Sequence, residues 1–244
     1  SLKLGFDPKE KQPDFLIING AECEPYITSD YRCFMEEGED VLEGVVLMLK
    51  YLGIPKCIIG IEKNKPKAIE KMTKLCEKHD NITVKALKSS YPQGAEKTLI
   101  FSTTGRVVKE GTLPLASGCI VINSSTAAFI AQYIRTGMPL VKRRITVDGN
   151  IVKKPSNFIV PVGMSIGEIV YYAELSDKPD RIILGGPMMG ACAFDPDYPL
   201  SKTNNAVLMF ADSPVYEPSE CIRCGKCVKA CSMNLLPTEL EHAF

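Results

Sequence analysis

The chain has 244 residues, 45% hydrophobic and 24% charged, and its 29 basic and 29 acidic side chains leave no formal net charge. That balance gives no footprint for nucleic acid and no acidic or basic arm, and the apolar content is enough for one large domain or two smaller ones to bury a core. Ten cysteines in a chain this long and this apolar argue against a disulfide framework and fit a reducing cytosol.

The opening SLKLGF is not a secretory start, and the chain is expected to be a piece of a longer protein. DFLIIN (Asp14–Asn19) reads as a buried strand. GEDVLEGVVLMLKYLG (Gly38–Gly53) is a helix that stops on its glycine. KCIIGIE (Lys56–Glu62) is a strand, KPKAIEKMTKLCEKH (Lys65–His79) a helix with a solvated lysine face, and NITVKALK (Asn81–Lys88) a strand. GAEKTLIFSTTG (Gly94–Gly105) reads as a helix, CIVIN (Cys119–Asn123) as a strand and STAAFIAQYIRTG (Ser125–Gly137) as a helix. Strands alternating with helices define an α/β fold with a largely parallel sheet.

Residues 111–134 carry no charge, but Pro114, Gly118, Asn123, Ser124, Ser125, Thr126 and Gln132 interrupt them. A strand, a turn and a helix fit better than a membrane span. The pattern changes at Pro139. Residues Arg143–Ala173 read as strand, turn at Asp148-Gly149, strand, strand and helix, and RIILGG (Arg181–Gly186) adds a closing strand. A compact β-rich unit with one helix is of the β-grasp kind. The expected organisation is an α/β domain over 1–138, a β-grasp domain over 139–190, a linker over 191–218 and a cysteine module over 219–244. GGPMMG (Gly185–Gly190) lacks the Lys-Ser/Thr of a phosphate loop and is expected to be a tight turn packing Met188 and Met189. Of the two histidines, His79 ends a helix and His242 stands in no motif.

Cys221, Cys224, Cys227 and Cys231 have the C-x2-C-x2-C-x3-C spacing of bacterial ferredoxins. Three thiolates two residues apart wrap one cubane, and Gly225 keeps bulk away from it. Structural zinc, the other reading, prefers two C-x2-C pairs separated by a longer loop. Ser232 stands where a proline usually follows the fourth cysteine. The scattered Cys57 and Cys119 lie in apolar runs, where cysteine is a small buried hydrophobe.

Three strand-to-helix turns carry polar groups. Asn19, Glu22 and Glu24 follow the first strand, Tyr91, Gly94 and Glu96 open one helix, and Asn123 and Thr126 open another. In open α/β sheets ligands bind at that edge, and helix N-termini favour phosphate. Together the turns suggest a nucleotide-sized pocket.

IINGAECEPY, YPQGAEK, GTLPLASGCIVIN, PLVKRRITVDG, GGPMMG and CIRCGKCVKAC occur in this order and resemble the C-subunit family of the Rnf electron-transport complex. That family is similar to the flavin-bearing, NADH-oxidising subunit of respiratory complex I. The resemblance implies an FMN-binding α/β domain, a β-grasp soluble-ligand-binding domain and the start of a ferredoxin-like helical iron–sulfur module. It implies FMN and NAD(H) as cofactors, with two 4Fe-4S clusters in the full-length protein. Asn19 is expected against the flavin, Glu22 and Glu24 in the flavin and nicotinamide turn, Tyr91, Gly94 and Glu96 in the second turn with Glu96 near the nicotinamide, and Asn123 and Thr126 at the FMN phosphate and ribityl chain. Ala21 and Ala95 replace acids of the complex I pattern. No side chain is expected to act as a general base.

A glycine-rich FMN loop is expected upstream of Ser1 and a second cysteine motif downstream, so the piece alone is expected to be inactive. The implied activity is electron input from NADH to an ion-translocating ferredoxin:NAD oxidoreductase. The implied partners are the other Rnf subunits, membrane and iron–sulfur subunits among them, and indirectly ferredoxin, with peripheral attachment at the cytoplasmic face of the membrane. An adaptor feeding a soluble reductase, and a scaffold without enzymatic activity, are the other two readings.

Overall fold

The computed structural model describes residues 12–211, 217, 219–231 and 235–243. They fall in two compact units, one ending at Ala211 and one starting at Asp212. Ser1 and Ser232 lie outside the described residues.

The first unit opens with β1 (Phe15–Gly20), α1 (Ser29–Leu52), β2 (Lys56–Glu62), α2 (Pro66–Cys76), β3 (Ile82–Leu87), α3 (Glu96–Thr104), β4 (Cys119–Asn123) and α4 (Ser124–Thr136). The four strands are parallel, in the order β3-β2-β1-β4. Side chains alternate across a strand. Leu16 and Ile18 of β1 therefore enter one core with Phe34, Val41 and Val45 of α1, Met72 of α2 and Ala127 of α4. Ile17 enters another, with Leu99 and Ile100 of α3 and with Cys119 and Val121. Cover on both faces explains why FLII, residues 15–18, reads as an unbroken apolar run rather than an alternating one. Each fully buried Leu or Ile there contributes ~1.5–3 kcal/mol.

Helix α1 buries Cys33, Phe34, Val41, Val45, Met48 and Leu49 at three- and four-residue spacing. It ends where Gly53, at φ +66°, donates its N–H to the Leu49 carbonyl. α1 crosses α4 so closely that a Cβ on Gly44 would lie 1.9 Å from the Ala127 carbonyl oxygen. The strand order reverses between β1 and β4, and at such a switch point a crevice opens beyond the carboxyl ends of the strands.

The second sheet holds β5 (Lys142–Asp148), β6 (Ser156–Pro161), β7 (Arg181–Leu184), β8 (Ala191–Ala193) and β9 (Ala206–Phe210), with α5 (Ile166–Ala173) on one face. The order is β6-β5-β9-β7-β8; β5 and β9 are parallel and the other pairs antiparallel. This is the mixed order of a β-grasp sheet.

Two expectations change here. The strand anticipated just after Asp148-Gly149 is reduced to a bridge between Val152 and Leu175. The stretch anticipated as a linker from residue 191 supplies β8 and the central strand β9. Val207 and Met209 of β9 are fully buried, and that burial holds AVLMF inside the sheet despite its polar flanks.

The other face of this sheet meets the turn that follows β1. Thr146 of β5 points away from α5, and its Oγ1 accepts the Thr28 N–H at 3.0 Å. Asn157 donates to Thr28 Oγ1 at 2.8 Å. Ile27 packs with Ile183, Ala206 and Leu208, and the Tyr26 and Phe210 rings meet edge to face at 5.4 Å. Both sheets therefore belong to the one compact unit, and the boundary expected near residue 138 separates two sheets, not two bodies.

Among its described residues the second unit contains two short helices, α6 (Lys226–Ala230) and α7 (Pro237–His242). Among the described residues no helix is long and apolar enough to cross a membrane.

Candidate functional site

The turns after β1 and before α3 are stitched together. Asn19 Oδ1 accepts the Ala21 N–H at 3.1 Å, and Asn19 Nδ2 donates to the Gly94 carbonyl at 2.9 Å. The Gly94 N–H points at Cys23 Sγ, 2.8 Å away. A Cβ on Gly94 would sit 2.4 Å from the Ala21 carbonyl oxygen, so only glycine lets the two turns touch. The polar atoms of Asn19 are spent on this scaffold.

Glu22 Oε1 accepts the Asp30 N–H at 2.8 Å, at the start of α1. Burial, followed by the nearby Asp30 charge, pushes the Glu22 carboxyl up to about 8. At neutral pH Glu22 thus keeps its proton, and its other oxygen, Oε2, is buried with no hydrogen-bond partner. Asp30 is the hub of the third turn. It accepts from Asn123 Nδ2 at 3.1 and 3.0 Å and from Ser124 Oγ at 3.1 Å. Burial raises its carboxyl too, against those hydrogen bonds and the Arg143 charge. Asn123 Oδ1 caps α4 by accepting the Ser125 N–H at 2.9 Å. The acid at this helix start is therefore the protein's own Asp30, and Thr126 of α4 is exposed.

Glu24 Oε2 accepts the Met188 N–H at 3.0 Å, while Glu24 Oε1 is buried without a partner. Contrary to expectation, the 185–190 turn does not pack its methionines: Met188 and Met189 are 51% and 81% exposed. It presents backbone to Glu24 instead.

A cleft of about 430 Å³ opens at the ends of β1, β2 and β3, with Glu22, Glu24, Glu62, Lys65, Tyr91 and Asp148 among its lining residues. Burial raises the Glu62 carboxyl, opposed by Lys65 and the Glu22 amide. Glu96 borders a different, apolar cleft of about 380 Å³ along β4, with Leu113, Cys119 and Val121. The eight anticipated residues thus divide. Glu22, Glu24 and Tyr91 line the acidic cleft, Asn19, Gly94 and Asn123 hold its walls, and Glu96 and Thr126 stand apart from it. Asp30, Glu62, Lys65 and Asp148 were not anticipated. A first-turn acid on α1 and the last residue of β2 were the available signals.

A flavin or a nicotinamide ribotide fits these groups chemically. Both carry hydroxyl or N–H donors for the unpartnered Glu24 Oε1 and carbonyl acceptors for the protonated Glu22 Oε2.

In the second unit all four cysteines are free, and three are exposed. Arg223 at φ +53° and Gly225 at φ +68° curve the backbone between them. Two amides approach sulfur, Arg223 N–H at Cys221 and Leu235 N–H at Cys231, each at 3.4 Å. Among the described residues, however, no three His, Cys, Asp or Glu side chains gather within reach of one metal ion. Thiols attract one another weakly, so protein contacts alone do not draw the four together. Spacing and amide donors fit an iron–sulfur cluster; the sulfur positions do not form a finished cage.

An open parallel sheet with an acid-lined cleft at the carboxyl ends of its strands defines an α/β domain of the nucleotide-binding class. The chain belongs to the family of the Nuo51 FMN-binding domain, whose model matches residues 1–132. It is 42% identical over 237 residues to the C-subunit of the proton-translocating ferredoxin:NAD(+) oxidoreductase complex of Clostridium ljungdahlii, covering 96% of this chain and 52% of that protein. It is 39% identical to the Na(+)-translocating counterpart of Acetobacterium woodii, covering 96% and 54%. The chain thus spans about half the length of these curated relatives. Among solved structures it is similar to an NAD+-reducing [NiFe]-hydrogenase in the air-oxidised state, with a TM-score of 0.68 at 20% identity over 84% of this chain and 40% of the other. That likeness concerns the fold.

Proposed function

We propose that this chain is the NADH- and FMN-binding portion of the C-subunit of an ion-translocating ferredoxin:NAD+ oxidoreductase. The observation that carries the reading is the acidic cleft at the carboxyl ends of β1, β2 and β3, where Glu22 and Glu24 each hold a buried carboxyl oxygen without a protein partner. The family match and the names of the relatives support it.

When bound, FMN exchanges a hydride with NADH and single electrons with iron–sulfur centres. The protein's share is binding and orientation. Glu22, protonated at neutral pH, offers Oε2 as a hydrogen-bond donor, and Glu24 offers Oε1 as an acceptor. Lys65, beside Glu22 and Glu62, offsets the acidity of the cleft. The half-exposed Tyr91 ring forms one wall. Asn19 and Gly94 hold the first two turns together, and Asn123 fixes Asp30 under the third. Thr126, at the exposed start of α4, and Glu96, at the start of α3, complete the proposed set towards FMN and the nicotinamide. Cys221, Cys224 and Cys227 are assigned to one 4Fe-4S cluster and Cys231, as in two-cluster ferredoxins, to the other. The partners are the other subunits of such a complex, with ferredoxin reached through them, and the place of action is the cytoplasmic face of the membrane.

The test is a visible spectrum of the full-length protein, purified without oxygen, before and after NADH. The expected result is a flavin band that NADH bleaches, followed by loss of cluster absorbance. A protein without flavin, or with flavin that NADH leaves oxidised, would refute the reading.

A further inference from the structure

We infer that the 185–190 loop of the β-grasp sheet is a positioning element of the acidic cleft, holding Glu24 so that one carboxyl oxygen is free for a donor group of the bound dinucleotide. The inference rests on the function proposed above and adds a residue set from outside the flavin-type domain.

The loop is anchored to β9 and closed on itself. Gly185 donates its N–H to the Ala206 carbonyl of β9 at 2.8 Å, and Gly190 donates back to the Gly186 carbonyl at 2.8 Å. Gly185 needs its glycine for conformation, at φ +100°. Gly186 does not, because its φ lies outside the left-handed region. What Gly186 needs is space. A Cβ there would fall 2.2 Å from Glu24 Oε2, 2.3 Å from Cδ and 2.5 Å from Cβ. Two residues on, the Met188 N–H bonds the same Oε2 at 3.0 Å. Loop backbone therefore fixes one oxygen by a hydrogen bond and the rest of the side chain by contact.

The other oxygen, Oε1, is buried, has no protein partner, and belongs to a residue lining the cleft. An acceptor held in one orientation and left unmatched is suited to a hydroxyl or amide donor of the ligand. The exposed Met188 and Met189 side chains exclude the alternative that the loop exists to bury them.

The experiment uses the full-length protein with its flavin and clusters, and steady-state oxidation of NADH. Gly186→Ala displaces Glu24 and is expected to raise KM for NADH at least tenfold, with kcat within about twofold and flavin content unchanged. Met189→Ala, which removes a side chain that is 81% exposed, is expected to leave both constants unchanged. Glu24→Gly removes the clashing atoms, so Gly186→Ala added to it is expected to raise KM no further. An unchanged KM in Gly186→Ala, or a full additional loss in the double variant, overturns the inference.

Hydrogen exchange on the wild-type protein covers the case in which Gly186→Ala does not fold. Saturating NAD+ is expected to slow exchange across residues 185–190, and no change there overturns the inference as well. Wild-type flavin that NADH does not reduce would instead remove the underlying function, which separates the two failures.

Discussion

The Asn123 side-chain amide donates to both carboxylate oxygens of Asp30, at 3.1 and 3.0 Å, while its own oxygen caps α4. One side chain thus ties the starts of α1 and α4 together beneath the cleft. Asn123→Ala removes a helix cap worth ~1 kcal/mol and leaves a buried carboxyl short of donors, at ~1–3 kcal/mol. The expected loss is on the order of 3 kcal/mol in urea unfolding. Asn123→Asp keeps the cap but faces Asp30 with a second acid, so its penalty should grow as pH rises.

Glu22 gives a pH signature. Its carboxyl is raised from the ordinary 4.5 to about 8, so between those values the native state holds a proton that the unfolded chain has lost. Stability is then greatest below about pH 4.5 on this account and falls as pH rises towards 8, by up to about 1.4 kcal/mol per pH unit. Glu22→Gln should flatten that slope and exceed the wild type in stability at pH 8. Some slope should persist, since burial raises Asp30 and Glu62 as well. Denaturation midpoints across this range decide; parallel curves for the two proteins would show Glu22 ionised at neutral pH.

Arg144 of β5 has only 8% of its side chain exposed and pairs with Glu36 and, at 2.7 Å, with Glu37, where α1 departs from helical geometry. Arg144→Met keeps the bulk and strands two acids at the contact between β5 and α1. We expect a loss of roughly 2–4 kcal/mol, partly recovered by adding Glu37→Gln. Arg144→Lys should rescue poorly, since an ammonium cannot fork to two carboxylates.

Gly44 sets two effects against each other. Alanine is favoured over glycine in a helix by ~1 kcal/mol, but the new Cβ would lie 1.9 Å from the Ala127 carbonyl oxygen. Overpacking of this kind typically costs ~1–3 kcal/mol, and here backbone must move. Gly44→Ala should therefore lower the melting temperature, while Gly105→Ala, with nothing within 4 Å, should show only the strain of its φ of +76°.

The cysteine assignment is checked by metal content. Cys227→Ala in the full-length protein should lose about four irons and keep its flavin. Zinc in place of iron in the wild type would reverse the assignment.

Most of the first sheet was readable in the sequence because its determinants are local. Leu16–Ile18 form an apolar run, Gly53 stops α1, and Gly94 and Asn123 mark turns. Asp30 and Glu62 were not readable as site residues. Each acquires its role from groups far along the chain, such as the Asn123 amide that meets Asp30. The central place of β9 rests on parallel pairing with β5, Thr146 opposite Ala206, a long-range match that no local pattern carries. The methionines of GGPMMG misled in another way. Their apolar side chains suggested burial, whereas the working group is the Met188 N–H.

The position of β9 also bears on how the chain matures during synthesis. The strand made last in its sheet, Ala206–Phe210, lies between β5 and β7. The parallel sheet has all its strands once Asn123 has been made, and α4 is complete at Thr136, so that half can close early while translation continues. β5 and β7 must meanwhile wait, each with an unpaired edge of the kind that invites pairing with other chains. A nascent chain stalled before Ala206 would carry a finished parallel sheet beside two unprotected strands. Throughout that interval the open edges of β5 and β7 are sites where another chain could pair.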